Sequence, residues 1–186
     1  MTANPSREQA VLTLVRELEQ HVAADGWDGP MRLFALVRTA GALDRDEGLA
    51  DRLPPAVVAA ARADADHLTA VEQDDLPQVS GLEDLLGRIT WPHTVDGTAV
   101  VIERVVLPPS AEADLDALAD DDADAAAAAA ADHPDRIDVR LAAAVLRDGS
   151  SGCAVRSRSH DADTAVAVGP DLIPDLISAL RTTLEN

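Results

Sequence analysis

Val139-Arg140-Leu141-Ala142-Ala143-Ala144-Val145-Leu146, then Asp148-Gly149-Ser150-Ser151-Gly152, then Cys153-Ala154-Val155-Arg156-Ser157-Arg158-Ser159 is the stretch that decides the fold. Two apolar runs flank a glycine-bearing turn, which predicts a β-hairpin. Upstream, Thr98 to Leu107 is rich in Val and Ile and stops at Pro108-Pro109, which predicts another strand. Arg32 to Val37 and the short Leu68-Thr69-Ala70-Val71 read as two more.

Helices frame these strands. Ser6 with Gln9 has the form of a capping box, and Val11, Leu14, Val15, Leu18 and Val22 recur at helical spacing up to Gly26. Residues 40–66 read as helical pieces broken at Pro54-Pro55, and Ser80 with Glu83 as a second capping box before Leu82, Leu85, Leu86 and Ile89. At the far end Asp171 can cap a helix carrying Ile173, Leu176, Ile177, Leu180 and Leu184, with Pro174 in its first turn. The expected fold is one α+β domain over residues 1–186: a mainly antiparallel sheet with a C-terminal hairpin, covered mainly on one face, framed by N- and C-terminal helices.

Composition removes whole classes of chemistry. All fifteen basic residues among the 186 are arginine, against twenty-five Asp and nine Glu, for a net charge of −19. Without lysine there is no Schiff-base amine, lysine base or phosphate-loop lysine. The charge argues against nucleic acid or an anionic membrane as partner. One Phe, two Trp and no Tyr leave few platforms for stacking sugars or bases. The lone Cys153 cannot form an internal disulfide, no basic-then-apolar leader precedes Ser6, and no apolar run reaches membrane-spanning length; the expected location is the cytoplasm. Thirty-six alanines without lysine suggest a GC-rich genome.

Charge is unevenly spread. Residues 111–135 hold nine acidic side chains and no basic one, and Asp120-Asp121-Asp122-Ala123-Asp124 leads into the run Ala125 to Ala131. Carboxylates at the front of an alanine helix favour it through the helix dipole, so this segment reads as a surface helix or an interaction arm. Arg136 to Arg158 then carries five arginines and two aspartates, a local +3. Strand alternation puts Arg156 and Arg158 on one face with Ala154 and His160. Such arginines either pair internally with carboxylates or hold an anionic ligand or acidic partner surface.

Catalytic motifs are absent or fail on context. His133-Pro134-Asp135 follows an acidic helix, unlike the J-domain tripeptide, and reads as a helix stop. His160-Asp161-Ala162-Asp163 invites a metal-site reading, but His21, His67, His93 and His133 lack ligand spacing. Asp120 to Asp124 lacks the glycine turn of a calcium loop, and Gly149-Ser150-Ser151-Gly152 is no nucleophile elbow. Cys153 reads as a small core residue, and no cofactor motif occurs.

Several stretches carry a resemblance: Gly26-Trp27-Asp28 with Arg32-Leu33-Phe34-Ala35-Leu36-Val37, Trp91-Pro92 with Val95-Asp96-Gly97, and Glu103-Arg104 before Leu107-Pro108-Pro109. His133-Pro134-Asp135-Arg136, Leu146-Arg147-Asp148-Gly149 and Gly169-Pro170-Asp171-Leu172 complete the set. The chain resembles, from about residue 7 to 184, a family of uncharacterised actinobacterial proteins first catalogued in a propionibacterium. That resemblance implies an actinobacterial cytosolic protein and no site residue. By element order alone the chain also looks like type III secretion chaperones, small acidic dimers that bind polypeptides.

The expected function is a non-enzymatic protein- or peptide-binding module, chaperone- or adaptor-like and homodimeric, with Arg140, Arg156, Arg158 and His160 as contacts. The alternative is a small-molecule-binding or metal-assisted hydrolytic enzyme using His160, Asp161 and Asp163, with His93 or His133 close by.

Overall fold

The hairpin is present, and it sits inside a larger sheet. The computed structural model describes residues 5–74, 76–77, 81–108, 111, 119 and 122–185, leaving aside the side chains of Ala123 and Asp124. In chain order these residues form α1 (Pro5–Ala23), β1 (Arg32–Arg38), α2 (Thr39–Arg45), α3 (Leu49–Arg52), α4 (Pro55–Ala63), β2 (Leu68–Glu72) and α5 (Leu82–Gly87). There follow β3 (Gly97–Val106), α6 (Ala123–Asp132), β4 (Ile137–Leu146), β5 (Ser151–Ser157), β6 (Ala167–Gly169) and α7 (Pro174–Glu185).

The six strands form one antiparallel sheet in the order β2-β1-β3-β4-β5-β6. Its centre is the ten-residue ladder of β3 on β4, from Gly97 opposite Leu146 to Val106 opposite Ile137. The β4–β5 connection is Arg147-Asp148-Gly149-Ser150. Gly149 sits at φ +93° and donates its N–H to the Leu146 carbonyl, while Asp148 accepts from the Ser150 N–H. A turn closed by a left-handed residue is a common short hairpin connection, and glycine meets its dihedral at no steric cost.

Both faces of the sheet are covered, in contrast to the one-sided packing expected. Val11, Leu14, Val15, Leu18 and Val22 of α1 pack on Phe34, Leu36, Ala99, Val101, Ala142, Ala144 and Ala154. On the other face Leu176, Ile177, Leu180 and Leu184 of α7 meet Leu33, Val100, Ala143, Val145 and Cys153 with Trp91 and Leu86. The run Leu141 to Leu146 is therefore unbroken because neighbouring residues point into two different cores. Ala142, Ala144, Ala154 and Gly152 make a low floor beneath α1. A Cβ on Gly152 would lie 3.0 Å from Val11 Cγ1, so the helix rests almost on the strand backbone.

Helix ends differ from the sequence expectation in detail. α1 begins at Pro5, so Ser6 lies within its first turn and donates its hydroxyl to Asp66. α7 starts at Pro174, three residues beyond Asp171. Ser80 lies outside the described residues. At α6 Asp122 is the cap, accepting from the Ala125 N–H at 3.0 Å, while Asp120 and Asp121 of the expected carboxylate front lie outside the described residues.

Candidate functional site

Arg140 and Arg156 stand directly opposite each other across β4 and β5, on the face covered by α1. Two like charges in that position repel. Glu19 of α1 descends between them and resolves the conflict. Its carboxylate accepts from Arg156 Nε at 2.6 Å and Nη2 at 2.8 Å, and lies 3.5 Å from Arg140 Nη1. All three side chains are buried, with Glu19 wholly inaccessible. Glu103, opposite Arg140 on β3, takes Arg140 Nη2 at 2.7 Å and Nε at 3.2 Å.

This ion cluster anchors two surface segments. The first is the loop that follows α1. Arg140 Nη2 donates to the Gly26 carbonyl, and the guanidinium stacks 4.4 Å from the centroid of the Trp27 ring. Gly26 at φ +90° and Asp28 at φ +67° turn the loop sharply. The left-handed Asp28 is held by its N–H to Glu103 Oε2 at 2.7 Å and by a two-pronged carboxylate pair with Arg158 at 2.8 Å each. Arg158 also stands 5.4 Å from the Trp27 centroid.

The second is the turn after β5. Asp161 Oδ1 accepts from Arg156 Nη1 at 3.1 Å, and Asp163 Oδ1 accepts from Nη2 at 2.7 Å. Trp27 Nε1 donates to Asp161 Oδ2 at 2.9 Å and ties the two segments together. These contacts set the charge states. The Trp27 indole N–H and Arg156 hold the Asp161 carboxyl below the usual carboxylate range, and Arg158 does the same for Asp28. Glu19, with Asp163 and Asp161 adding to it, raises the Arg156 guanidinium further above its already high value.

Of the four residues expected to form a binding face, the structure leaves two at the surface. Arg140 and Arg156 are buried and saturated by carboxylates, so no open arginine face exists there. Arg158 is partly exposed, and His160 is exposed with Nδ1 beside Ser159 Oγ at 3.0 Å. Asp161 and Asp163, the carboxylates of the hydrolytic reading, each pair with Arg156, Asp161 accepting from Trp27 as well, while Asp163 keeps Oδ2 unbonded to the described residues and is 68% exposed. His133 ends α6 with Nδ1 accepting from the Asp135 N–H, and His93 lines a cavity beside Arg38 and Arg147. Among the described residues no group of three or more His, Cys, Asp or Glu is placed to hold a metal.

The residues that sequence reasoning passed over are Glu19, Trp27 and Glu103. Glu19 carried a signal: it sits four residues after Val15 and three before Val22, on the apolar stripe of α1. A carboxylate on a buried stripe needs a buried cation.

What the cluster shows to solvent is mostly carboxylate, with Arg158 among it. Asp25, Asp28, Asp161 and Asp163 have side chains 62, 74, 46 and 68% exposed around the Trp27 loop. Beside them lies a cavity of about 250 Å³ whose charged and aromatic lining is Asp25, Trp27, Asp28, Arg32, Glu103 and Arg140. Of the Arg140 nitrogens, buried Nη1 makes no hydrogen bond to the described residues and faces the Glu19 carboxylate at 3.5 Å.

The family model described as PPA1309-like protein matches residues 11–185. No curated protein and no solved structure matches the chain significantly.

Proposed function

The chain belongs to the PPA1309-like protein family, a membership that brings no activity with it, and we propose that it is a non-enzymatic binding module for a basic peptide segment of a partner protein. The observation that carries this reading is the polarity of the site. Arg140 and Arg156 are spent on Glu103 and Glu19, and Asp25, Asp28, Asp161 and Asp163 stay exposed around the Trp27 loop while pairing with Arg32, Arg158 and Arg156; Asp25, Asp28 and Glu103 line the cavity beside Trp27. An Arg or Lys side chain reaching that cavity meets Glu103, Asp25 and Asp28, with the Trp27 loop as its wall. Arg140 and Arg156 then act as the scaffold that holds the loop and the Asp161 turn in place, while Arg158 orients Asp28.

The same reading sets the protein in the cytoplasm of an actinobacterium, on its single cysteine and its lysine-free, alanine-rich composition. Among the described residues no helix is long and apolar enough to cross a membrane. Self-association belongs to the reading too. Among the described residues β2 ends the sheet, pairs with β1 alone, and carries Val71 at 48% exposure, so two copies can join edge to edge.

The test is a fluorescence-anisotropy titration with a labelled arginine-rich peptide at about physiological salt, where long-range attraction is screened. Wild type is compared with Asp25→Asn/Asp28→Asn and with Asp44→Asn/Glu47→Asn, which removes the same charge elsewhere. The rim variant is expected to lose at least roughly tenfold in affinity, which is about 1.4 kcal/mol, and the control little. Equal losses in both would mean the peptide feels only the overall charge, and the reading would fall.

A further inference from the structure

At the opposite ends of β1, β3 and β4 three arginines and a histidine gather around a second cavity. It has a volume of about 290 Å³ and is lined by Arg7, Arg38, His93, Asp96, Arg147 and Asp148. Three of the fifteen basic residues of a strongly acidic chain converge on it with a histidine. We infer that this cavity is an oxyanion site that takes the phosphate group of a small phosphate monoester, bound by Arg38, Arg7 and His93.

The carboxylates there orient the arginines without exhausting them. Asp96 accepts from the Arg38 backbone N–H and from its Nε, both at 2.8 Å, which fixes the guanidinium while its two terminal nitrogens make no hydrogen bond to the described residues. Arg7 gives Nε to Asp66 at 3.1 Å and Nη1 to Asp148 at 2.7 Å, and keeps Nη2 unused among the described residues. Arg38 is 40% and Arg7 30% exposed, so these donors can reach a ligand. Arg147 differs. All its nitrogens go to backbone carbonyls, Nε to Val95 at 2.9 Å, Nη2 to Trp91 at 3.0 Å and Pro92 at 3.3 Å, and Nη1 to Leu184. It builds the wall and adds charge. His93 is exposed and forms no hydrogen bond or ion pair with the described residues.

The donors come from three directions: Arg38 from the end of β1, Arg7 from the first turn of α1, His93 from the segment before β3. A planar carboxylate satisfies one guanidinium fork, whereas a tetrahedral phosphate offers acceptors to all three. The cavity exceeds what one tetrahedral oxyanion fills, which leaves room for an organic substituent. Asp66, Asp96 and Asp148 balance the three arginines, so the affinity is modest and the selectivity comes from geometry.

The experiment is isothermal titration of the full chain with inorganic phosphate, glycerol 3-phosphate and, as an ionic-strength control, sodium chloride. Saturable binding of the phosphates below about 10 mM is expected. Tighter binding of glycerol 3-phosphate assigns the monoester; equal binding of both assigns free phosphate to the same donors. Arg38→Gln should weaken binding at least roughly tenfold and His93→Ala by a few-fold. His93→Ala removes no hydrogen bond or ion pair within the described residues, so its melting temperature should match wild type. Heats that chloride reproduces, or affinities that neither variant changes, would overturn the site.

Discussion

Glu19 of α1 and Arg156 of β5, 137 residues apart in sequence, form a two-pronged buried ion pair at 2.6 and 2.8 Å. It joins the first helix to the penultimate strand within the apolar contact between α1 and the sheet. Two charges taken out of water cost several kcal/mol each, so such a pair is a weak source of net stability and a strong constraint on how α1 docks.

The asymmetry is measurable. Glu19→Ala leaves Arg156 and Arg140 buried against each other and should cost about 3–5 kcal/mol in urea unfolding. Glu19→Leu combined with Arg156→Met removes both charges from the interface. Its penalty should be far smaller, and the coupling in the double-mutant cycle large. Additive losses would show that the pair does not act as a unit.

How far the sequence carries depends on which forces decide each feature. Strand alternation, helical spacing and the proline breaks gave the helices and five of the six strands, because those depend on local backbone chemistry; the three-residue β6 is too short to show a period. The unbroken run Ala142-Ala143-Ala144-Val145-Leu146 also held the clue to a sheet buried on two sides. The site was less legible. The +3 balance of residues 136–158 is real in sequence, but Glu19 and Glu103 reach it from distant segments and cancel it. Strand period puts Arg140 and Arg156 on a face; only the docking of α1 decides whether that face is open.

Acid should erode the perimeter contacts. The Ser6 hydroxyl and Arg7 hold Asp66 below the usual carboxylate range. For Asp148 burial pushes the other way, but Arg7 and the Ser150 N–H outweigh it. Carboxyls depressed in the folded state bind fewer protons than in the unfolded chain. Their contribution is therefore complete above an unfolded value of about 3.9 and lost as pH falls through the lower folded values. Self-repulsion at −19 relaxes over the same range, so wild type alone is ambiguous. The stability gap between wild type and Arg7→Ala isolates the effect. It should stay constant from pH 7 to about 4 and shrink below that; a gap that persists unchanged at about pH 2.5 would contradict the assignment.

Gly97 opens β3 opposite Leu146, and a Cβ there would collide with the Val145 carbonyl and the Leu146 side chain. Neither can withdraw, since the Val145 backbone belongs to the central ladder and Leu146 to the α1 core. Gly97→Ala should cost on the order of 1–3 kcal/mol or more by overpacking. Gly87→Ala, where the added methyl meets nothing within 4 Å, should be near neutral or slightly stabilising. A denaturant midpoint for Gly97→Ala equal to that of wild type would mean that the β3–β4 register can slip to make room.

Cys153 reports on the second core. It lies on β5 beneath α7, fully buried, and burial pushes its thiol above the ordinary range. Both effects keep the thiolate, the reactive form, out of reach in the native state. Reaction with an aromatic disulfide reagent should therefore be undetectable until the chain opens, and its rate should follow the global unfolding equilibrium across a urea series. The alternative is specific: labelling faster than global unfolding would mean that α7 lifts from the sheet on its own, with Leu176, Ile177, Leu180 and Leu184 leaving as one unit. Leu180→Ala, which keeps the thiol, separates the two: it opens a cavity beneath α7, and labelling that accelerates by more than the measured loss of global stability is local opening.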